Sequence, residues 1–440
     1  MMFPRIQLSE LVTIKGGKRL KPSEEFSTVP TQHPYIRARD VGGGVIKIQD
    51  AVYLTETVAQ RLSRYRVNTG DVCITIVGAN VGEMGIVPSD LDGANLTENC
   101  VRLTGNARVT QGFLRYALLT DDAQGQMKVV AGGAAQPKLG IYKIEAVDIP
   151  LPLLPTQHKI AAILSAYDDL IENNTRRIAI LEEMAQAIYR EWFVNFRFPG
   201  HENVKLVDTP LGQIPEGWVA GTIADYVTNG ELELQTGPFG TQLKASDYTE
   251  SGTPVINVRN IGYGSIRPDK LEHVPVAICE RLAQHLLETG DIVFGRKGAV
   301  DRHVLITKAE HGWMQGSDCI RMRSMSERAL PQLLTFAFRD ESHHDWMLSQ
   351  CSHGATMASL NQDVIKRIPI LLPSSDFLDR FFEISSDVLR AVSVLQRRNS
   401  NLRTTRDLLL PKLISGQLDV EDLDIDVGMT AEELTEAAAG

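Results

Sequence analysis

Lysine and arginine side chains beside glycines, or directly after strand-like runs, are the residues of this sequence best suited to binding a ligand. The segment 15–21 (KGGKRLK) places four positive charges around two glycines. Arg37 and Arg39 follow the strand-like Tyr35-Ile36, and both would lie on one face if that strand continued. Such side chains anchor phosphates, and arginine and lysine also read base edges. We treat them as candidate nucleic-acid contacts, against the alternative that they only keep the surface soluble.

The same chemistry recurs in the second half of the chain. Asn257 and Arg259 follow another strand-like run, and two small-residue loops, 132–138 and 354–356, lie late in each half. The full set of candidate DNA contacts is Lys18, Arg19, Arg37, Arg39, Lys138, Lys244, Arg259, Arg296 and Lys297.

Motifs for catalysis are absent from the sequence. It contains no phosphate-binding G-x-x-x-x-G-K-[ST] loop, no Asn/Asp-Pro-Pro-aromatic motif of adenine methyltransferases, and neither H-E-x-x-H nor G-x-S-x-G. His343, His344 and Asp345 form a tight cluster, but adjacent histidines on a helix point in different directions. We therefore expect no catalytic residue and no metal site on this chain.

Composition favours a folded, intracellular protein of more than one domain. The chain has 440 residues and a net charge of −10. Eight acids lie in residues 413–440, and removing them from −10 leaves −2 for the rest, a poor non-specific binder of polyanions. The five cysteines are odd in number and form no CxxC pair. With no run of 18 apolar residues, we expect no membrane span and a cytoplasmic location.

The sequence repeats itself at half its length. Thr69-Gly70-Asp71-Val72 recurs as Thr289-Gly290-Asp291-Ile292, an offset of 220 residues. Asn99-Cys100-Val101-Arg102 recurs as Asp318-Cys319-Ile320-Arg321, an offset of 219. Matches that keep their order at nearly one offset indicate a tandem duplication.

A long helix is predicted to follow each repeat. The first spans about Thr156 to Phe196, and the second about Ser375 to Leu410, where Pro411 should end it. Their apolar residues recur in steps of three and four, as in a coiled coil. An antiparallel register whose paired numbers add to 573 places Asn174 opposite Asn399. Such a pair would fix the register; the alternative is that both asparagines face water.

A paired-helix spacer would hold two similar heads at a fixed distance. DNA is the polymer that such a spacing suits, because its helix repeats every 34 Å or so. Three aromatic residues near the end of the first helix, Trp192, Phe193 and Phe196, could pack on the second head or dock a partner protein; packing is our preferred interpretation.

Several segments resemble the specificity subunits of type I restriction–modification systems. Residues 149–194 (IPLPLLPTQHKIAAILSAYDDLIENNTRRIAILEEMAQAIYREWFV) look like the central helical region of that family. Residues 208–218 (DTPLGQIPEGW), 237–248 (GPFGTQLKASDY) and 402–420 (LRTTRDLLLPKLISGQLDV) are similar to its other regions. The resemblance covers nearly the whole chain, although PSSDF at 373–377 departs from the family's P-x-Q-x-x-I pattern.

This resemblance implies an α+β fold with two mixed α/β target-recognition domains, a pseudo-twofold repeat, separated by a long antiparallel two-helix coiled coil. The corresponding segments are recognition domain 1 (1–154), a central spacer (155–198), recognition domain 2 with its connector (199–373), a C-terminal spacer (374–415) and an acidic, mobile tail (416–440).

The resemblance also implies a non-catalytic subunit that reads a bipartite, asymmetric DNA site. Its partners would be double-stranded DNA, two modification (adenine-N6 methyltransferase) subunits and restriction subunits. S-adenosylmethionine, ATP and Mg²⁺ would bind to those partner subunits. This chain itself would bind no cofactor. Two alternatives stay open: a self-contained DNA methyltransferase or nuclease, and a coiled-coil scaffold that binds no nucleic acid.

Overall fold

The computed structural model describes residues 2–48, 50–131, 138–209, 212–267, 270–298, 301–325, 330–350, 359–373 and 375–427. The chain divides into two compact units, each with a mixed α/β architecture. Unit 1 comprises residues 1–175 and 396–440, and unit 2 comprises residues 176–395. Both boundaries lie inside long helices, so each unit includes part of the segments predicted as spacers.

Unit 1 is built on an antiparallel core sheet. Its described strands are β1 (Arg5–Gln7), β2 (Val12–Gly16), β3 (Tyr35–Ile36), β4 (Gly44–Val45), β5 (Val72–Thr75), β6 (Met84–Ile86), β7 (Asn95–Leu96), β8 (Cys100–Gly105) and β9 (Asp148–Pro150). The main sheet has the order β2-β8-β5-β6-β4, in which only the β4–β6 pair is parallel. All four residues of β5 are buried.

Unit 1 also contains helices. They are α1 (Glu56–Arg61), α2 (Gln111–Leu119), α3 (Asp121–Ala131), α4 (Ile141–Glu145) and the beginning of α5 (Leu154–Tyr189). Thr110 caps α2 by accepting a hydrogen bond from the backbone N of Phe113, and Phe113 is fully buried in the core of the unit.

Unit 2 repeats this plan. Its described strands are β10 (Leu206–Thr209), β11 (Gly212–Pro215), β12 (Val219–Thr222), β13 (Leu232–Thr236), β14 (Thr253–Ile256), β15 (Glu272–Val274), β16 (Ile292–Gly295), β17 (His303–Leu305), β18 (Met314–Gln315), β19 (Cys319–Ser324) and β20 (Pro369–Leu372). Its helices are α6 (Ile223–Thr228), α7 (Val276–Arg281), α8 (Leu330–Phe338), α9 (Glu341–Gln350), α10 (Gln362–Lys366) and α11 (Ser375–Ser415), which ends in unit 1. The sheet order β13-β19-β16-β17 matches β2-β8-β5-β6.

The repeated Thr-Gly-Asp motif forms the same turn in both units. Gly70 and Gly290 have φ angles of 84° and 97°, a region that favours glycine. Asp71 Oδ2 and Asp291 Oδ2 each accept a 2.8 Å hydrogen bond from the backbone N three residues earlier. β5 and β16 begin directly afterwards, so the motif recurs because it starts the central strand.

The two asparagines that the predicted register pairs are hydrogen-bonded inside unit 1. Asn174 Nδ2 donates to Asn399 Oδ1 at 2.9 Å. Asn399 Nδ2 donates to Ile171 O and Thr175 Oγ1, at 3.2 Å each. The two side chains are buried, with 9% and 3% exposure. Asp168 on α5 also contacts Arg406 on α11, so in unit 1 the two helices run antiparallel, and the asparagine amides do not face water.

Asp168 ties this helix pair to the rest of unit 1. Its Oδ2 accepts hydrogen bonds from Arg115 at 2.6 Å and from the Tyr116 hydroxyl at 2.7 Å, both on α2. Its Oδ1 accepts from Arg406 Nη1 on α11 at 2.6 Å. One carboxylate thus joins three helices with charge-assisted hydrogen bonds.

The prediction that Pro411 ends the second helix was wrong. Proline cannot donate the hydrogen bond of a helix interior. However, Leu413 and Ile414 beyond it are 0% and 2% exposed in the core of unit 1, and this burial offsets the lost bond. Helix α11 continues to Ser415, and Gly416 follows with a φ of 77°, as in a glycine C-cap.

The tail was predicted to be mobile from residue 416, but its first residues pack within unit 1. Val420 is buried in the core of unit 1, and Leu418 N donates to Lys412 O at 3.1 Å. Lys159 Nζ donates to Glu421 O at 2.6 Å. Mobility was therefore the wrong prediction for this first part, because an apolar side chain lies between the acids. Residues 428–440 lie outside the described residues.

The aromatic residues near the end of α5 pack inside unit 2. α5 ends at Tyr189, earlier than predicted, and a π-helical turn follows over Arg190–Val194. The Phe193 ring lies 4.9 Å from the Phe381 ring and 5.6 Å from the Trp218 ring. These contacts fit the packing interpretation rather than an exposed docking surface.

Candidate nucleic-acid interface

The turn after β3 gives Arg37 and Arg39 different surroundings. β3 ends at Ile36, and Ala38–Asp40 form a 3-10 turn, so the expectation that both arginines share a strand face was wrong. The buried Asp40 closes this turn, because its Oδ2 accepts from Arg37 N at 2.8 Å and from Arg37 Nε at 3.2 Å. The Arg37 guanidinium also donates to Asp50 O. Arg37 is 23% exposed, and its Nε and Nη2 donate within the protein.

Arg39 points out of the same turn and is more exposed, at 57%. Its Nη2 lies 3.2 Å from Asp50 Oδ2. A cavity of about 560 Å³ opens beside this pair. The cavity is lined by donors and acceptors together, chiefly Arg39, Lys47, Asp50, Asn80 and Glu83. A mixed lining of this kind suits the edge of a base, which presents both donors and acceptors.

Lys18 and Arg19 lie on the surface of unit 1 after β2, and both are exposed. Arg19 Nε lies 3.4 Å from Glu98 Oε1. Gly17 before them is not a flexible residue, since a Cβ there would lie 2.1 Å from Thr97 O. The glycine is required by close backbone packing, which holds the two basic residues in place.

Lys138 is exposed where the chain pairs with Val77 in an isolated antiparallel bridge. The rest of its candidate loop, residues 132–137, lies outside the described residues, as does the loop 354–356 of the second half.

Unit 2 carries an equivalent arginine on an equivalent turn. β14 ends at Ile256, and Val258–Asn260 form a 3-10 turn in which Asn260 replaces Asp40. Arg259 is 47% exposed, and its Nη2 lies 2.9 Å from Glu272 Oε1. Glu272 Oε2 accepts a 2.8 Å hydrogen bond from Asn257 Nδ2, which fixes the carboxylate.

The other candidate DNA contacts of unit 2, described next, have partners that lie outside this turn. Lys244 is exposed at the start of a short turn closed by Asp247. Arg296 is half-buried, with its Nε 3.4 Å from Leu360 O. Lys297 is 57% exposed, and its Nζ lies 3.1 Å from Asp318 Oδ1.

The sequence singled out His343 and His344 in unit 2 but not the buried Asp301 and His303 beside them. His303 is fully buried, and burial lowers its pKa to about 4. His343 is also buried, and burial lowers its pKa to about 3. His344 Nδ1 lies 2.7 Å from the buried Asp301 Oδ2. Among the residues that the structure describes, no group of three His, Cys, Asp or Glu side chains could hold a metal ion.

The carboxylates that hold the arginines were also missed. Asp50 lies 11 residues after Arg39 and Glu272 lies 13 after Arg259, so no fixed spacing marks them. The offset of 220 that relates Arg39 to Arg259, and Asp40 to Asn260, is the signal that could have singled out the turn itself.

Comparisons with known proteins agree with the resemblance in the sequence. A family model described as type I restriction modification DNA specificity domain matches residues 4–183. The MjaIX specificity subunit of a type I restriction enzyme from Methanocaldococcus jannaschii is 24% identical over 84% of this chain and 82% of its own length. The HindI specificity subunit from Haemophilus influenzae is 20% identical over 80% of this chain and 87% of its own.

One solved structure has the same fold. The crystal structure of a type I restriction–modification S subunit from M. genitalium aligns with a TM-score of 0.53 and 16% identity, over 94% of this chain and 96% of that one. None of the helices within the described ranges is both long and apolar enough to cross a membrane. The chain is thus similar in sequence and in fold to the specificity subunits of type I restriction–modification systems.

Proposed function

We propose that this chain is the DNA sequence-recognition subunit of a type I restriction–modification complex and carries no catalytic group of its own. The observation that carries the proposal is the arginine that follows the same strand and turn in both units, Arg39 and Arg259. Each is exposed enough to meet a ligand, and each is oriented by a carboxylate. A protein that reads two DNA segments with one duplicated fold would need such a pair.

Each unit would read one half of a bipartite, asymmetric DNA site. The two turns share their backbone but differ in side chains, with Asp40 against Asn260 and Asp50 against Glu272. Base reading depends on the donors and acceptors of a few side chains. Different side chains on one scaffold therefore predict two different half-sites.

The long helices α5 and α11 would fix the gap between the half-sites. The Asn174–Asn399 hydrogen bond supports a single register, because a slip would leave both amides unpaired among apolar residues. A protein that binds two DNA half-sites must hold its two recognition units at the spacing of those half-sites. A helix pair with a single register would provide a fixed spacing.

Catalysis would belong to partner subunits. We propose two modification subunits that methylate adenine N6 with S-adenosylmethionine, and restriction subunits that use ATP and Mg²⁺, with the assembly in the cytoplasm. The chain itself should bind DNA weakly. Its net charge is −10, and acids lie beside most of the candidate cations, as Glu98 does beside Arg19 and Asp318 beside Lys297.

The test is to express the chain with its modification subunit in a host without adenine methylation and to map N6-methyladenine across the genome. We expect one bipartite motif with a fixed gap, lost when either gene is omitted. In parallel, fluorescence anisotropy should detect tight binding to duplexes that carry the motif only when the modification subunit is present. A motif made by the modification subunit alone, or equal affinity without it, would refute the proposal.

A further inference from the structure

We infer that Arg39 and Arg259 are the base-reading arginines of the two half-sites, one for each, and that Asp50 and Glu272 orient them. This inference rests on the proposed function and adds to it which residues determine specificity. Of the candidate cations, these two occupy matching positions, 220 residues apart, directly after a sheet strand and on a 3-10 turn.

Both arginines have donors left for a ligand. A guanidinium carries five N–H donors. Arg39 contacts Asp50 through Nη2 and its Nε lies 3.9 Å from Asp40 Oδ1, and Arg259 contacts Glu272 and Lys270 O through Nη2. Among the described residues, Nη1 of neither arginine has a hydrogen-bond partner. Each side chain is thus held by carboxylate contacts and keeps Nη1 open.

The neighbouring carboxylates favour a base over a phosphate. A phosphate that approached Arg39 would come close to Asp50, which is 81% exposed, and would be repelled by it. The edge of a base carries no net charge and offers acceptors to the arginine, as guanine does with O6 and N7. The same carboxylate limits the rotamers of Arg39, so less side-chain entropy is lost on binding.

The cavity beside Arg39 offers a base pair more than one contact. Glu83 and Asn80 line it together with donors such as Lys47. A cytosine amino group could donate to a carboxylate there, whereas a phosphate oxygen could not. A site lined by both signs of charge therefore matches a base pair better than a DNA backbone.

Arg37 has a different role from Arg39. Its guanidinium donates to the buried Asp40 and to the backbone O of Asp50. It therefore acts as a positioning residue, which holds the segment that carries the Asp50 carboxylate. Unit 2 has Asn257 in this position, and Asn257 holds Glu272 directly at 2.8 Å.

The experiment uses the full chain in complex with its modification subunit. Genome-wide N6-methyladenine maps would be compared for the wild type, Arg39→Ala, Arg259→Ala and the control Arg108→Ala. Arg108 is a matched control because it lies in unit 1, is 51% exposed and pairs with Glu10 at 3.3 Å, away from the cavity. Affinities for duplexes with each base pair of the motif substituted would then be measured.

We expect Arg39→Ala to remove the preference for one guanine-containing base pair in one half-site by about 10- to 100-fold, and Arg259→Ala to do so in the other half-site only. Arg108→Ala should leave the motif unchanged. Asp50→Asn should lower discrimination while strengthening non-specific binding, because it removes a charge that repels phosphate. A change of fold alone would not produce that opposite pair of effects.

Two results would overturn the inference alone. The first is an unchanged motif in Arg39→Ala and Arg259→Ala complexes that still methylate DNA. The second is a uniform loss of affinity for all sequences with a shallower salt dependence, which would identify phosphate contacts. A wild-type complex without sequence-specific methylation would instead refute the proposed function, and the inference with it.

Discussion

The Asn174–Asn399 hydrogen bond gives the sharpest prediction about stability. Replacing Asn399 by Leu leaves Asn174 Nδ2 without its acceptor in a buried seam, and also removes the bonds to Ile171 O and Thr175 Oγ1. A buried polar group left unpaired costs about 1–3 kcal/mol. Asn174→Leu should cost less, because Asn399 Nδ2 keeps its two acceptors. The double variant should recover most of the loss, since two apolar residues suit the seam.

Hydrogen exchange of amides in residues 160–175 and 396–410 would measure the free energy of opening in all four proteins. Tryptophan fluorescence supplies an internal control, because all four tryptophans lie in residues 176–395, which form unit 2. A coupling free energy near zero between the two substitutions would refute the role of the pair. So would single variants that exchange no faster than the wild type.

Three other residues or pairs give further predictions. Lys297→Ala should reduce the slope of log affinity against log salt by about 0.9 in the partner-bound complex, as one phosphate contact predicts, and an unchanged slope would exclude that contact. His303, whose folded pKa is about 4, takes up a proton on unfolding below pH 6.5 or so, so it should contribute a loss of about 1.4 kcal/mol per pH unit to the stability of unit 2 between there and pH 4, and His343, whose folded pKa is about 3, should contribute a similar loss. His303→Met, which introduces the residue found at the equivalent position 84 of unit 1, should remove the share of His303 and so make this dependence shallower in urea unfolding followed by tryptophan fluorescence, and an equal slope would contradict it. Burial raises the pKa of Cys100 and Cys319 to about 12, so neither should react with iodoacetamide before denaturation, as peptide mass spectrometry would show.

The parts of the fold that follow local patterns could be predicted from the sequence. The offset of about 220 residues anticipated two units with one plan, and β5 and β16 begin directly after the repeated Gly-Asp turn. The steps of three and four residues predicted the long helices and the pairing of Asn174 with Asn399. These features depend on residues that are neighbours in the chain, or on apolar residues that recur at a regular spacing. Both can be read directly from the sequence.

Features that depend on tertiary packing could not be predicted. Helix α11 passes through Pro411 because the residues beyond it are buried in unit 1, and no local rule indicates that burial. Val420 is buried within an acidic stretch for the same reason. His303 lies where unit 1 has the apolar Met84, so the repeat carries no sign of the buried polar cluster.

The candidate site was predicted as a set of residue types but not as a geometry. Arg39 and Arg259 were among nine candidates because of their chemistry and position after a strand. The structure separates them from Arg37, which is less exposed and whose Nε and Nη2 donate to the buried Asp40 and to a backbone oxygen. Those partners, Asp50 and Glu272, come from segments with no sequence signal.

The central claim is that one chain reads two DNA half-sites at a fixed spacing. The most direct measurement is the affinity of the partner-bound complex for duplexes that contain both half-sites with the natural gap or with five base pairs added, about half a helical turn. We predict that the added base pairs lower the affinity by at least about 100-fold, towards the level of non-specific binding. Equal affinity for the two duplexes would contradict the account.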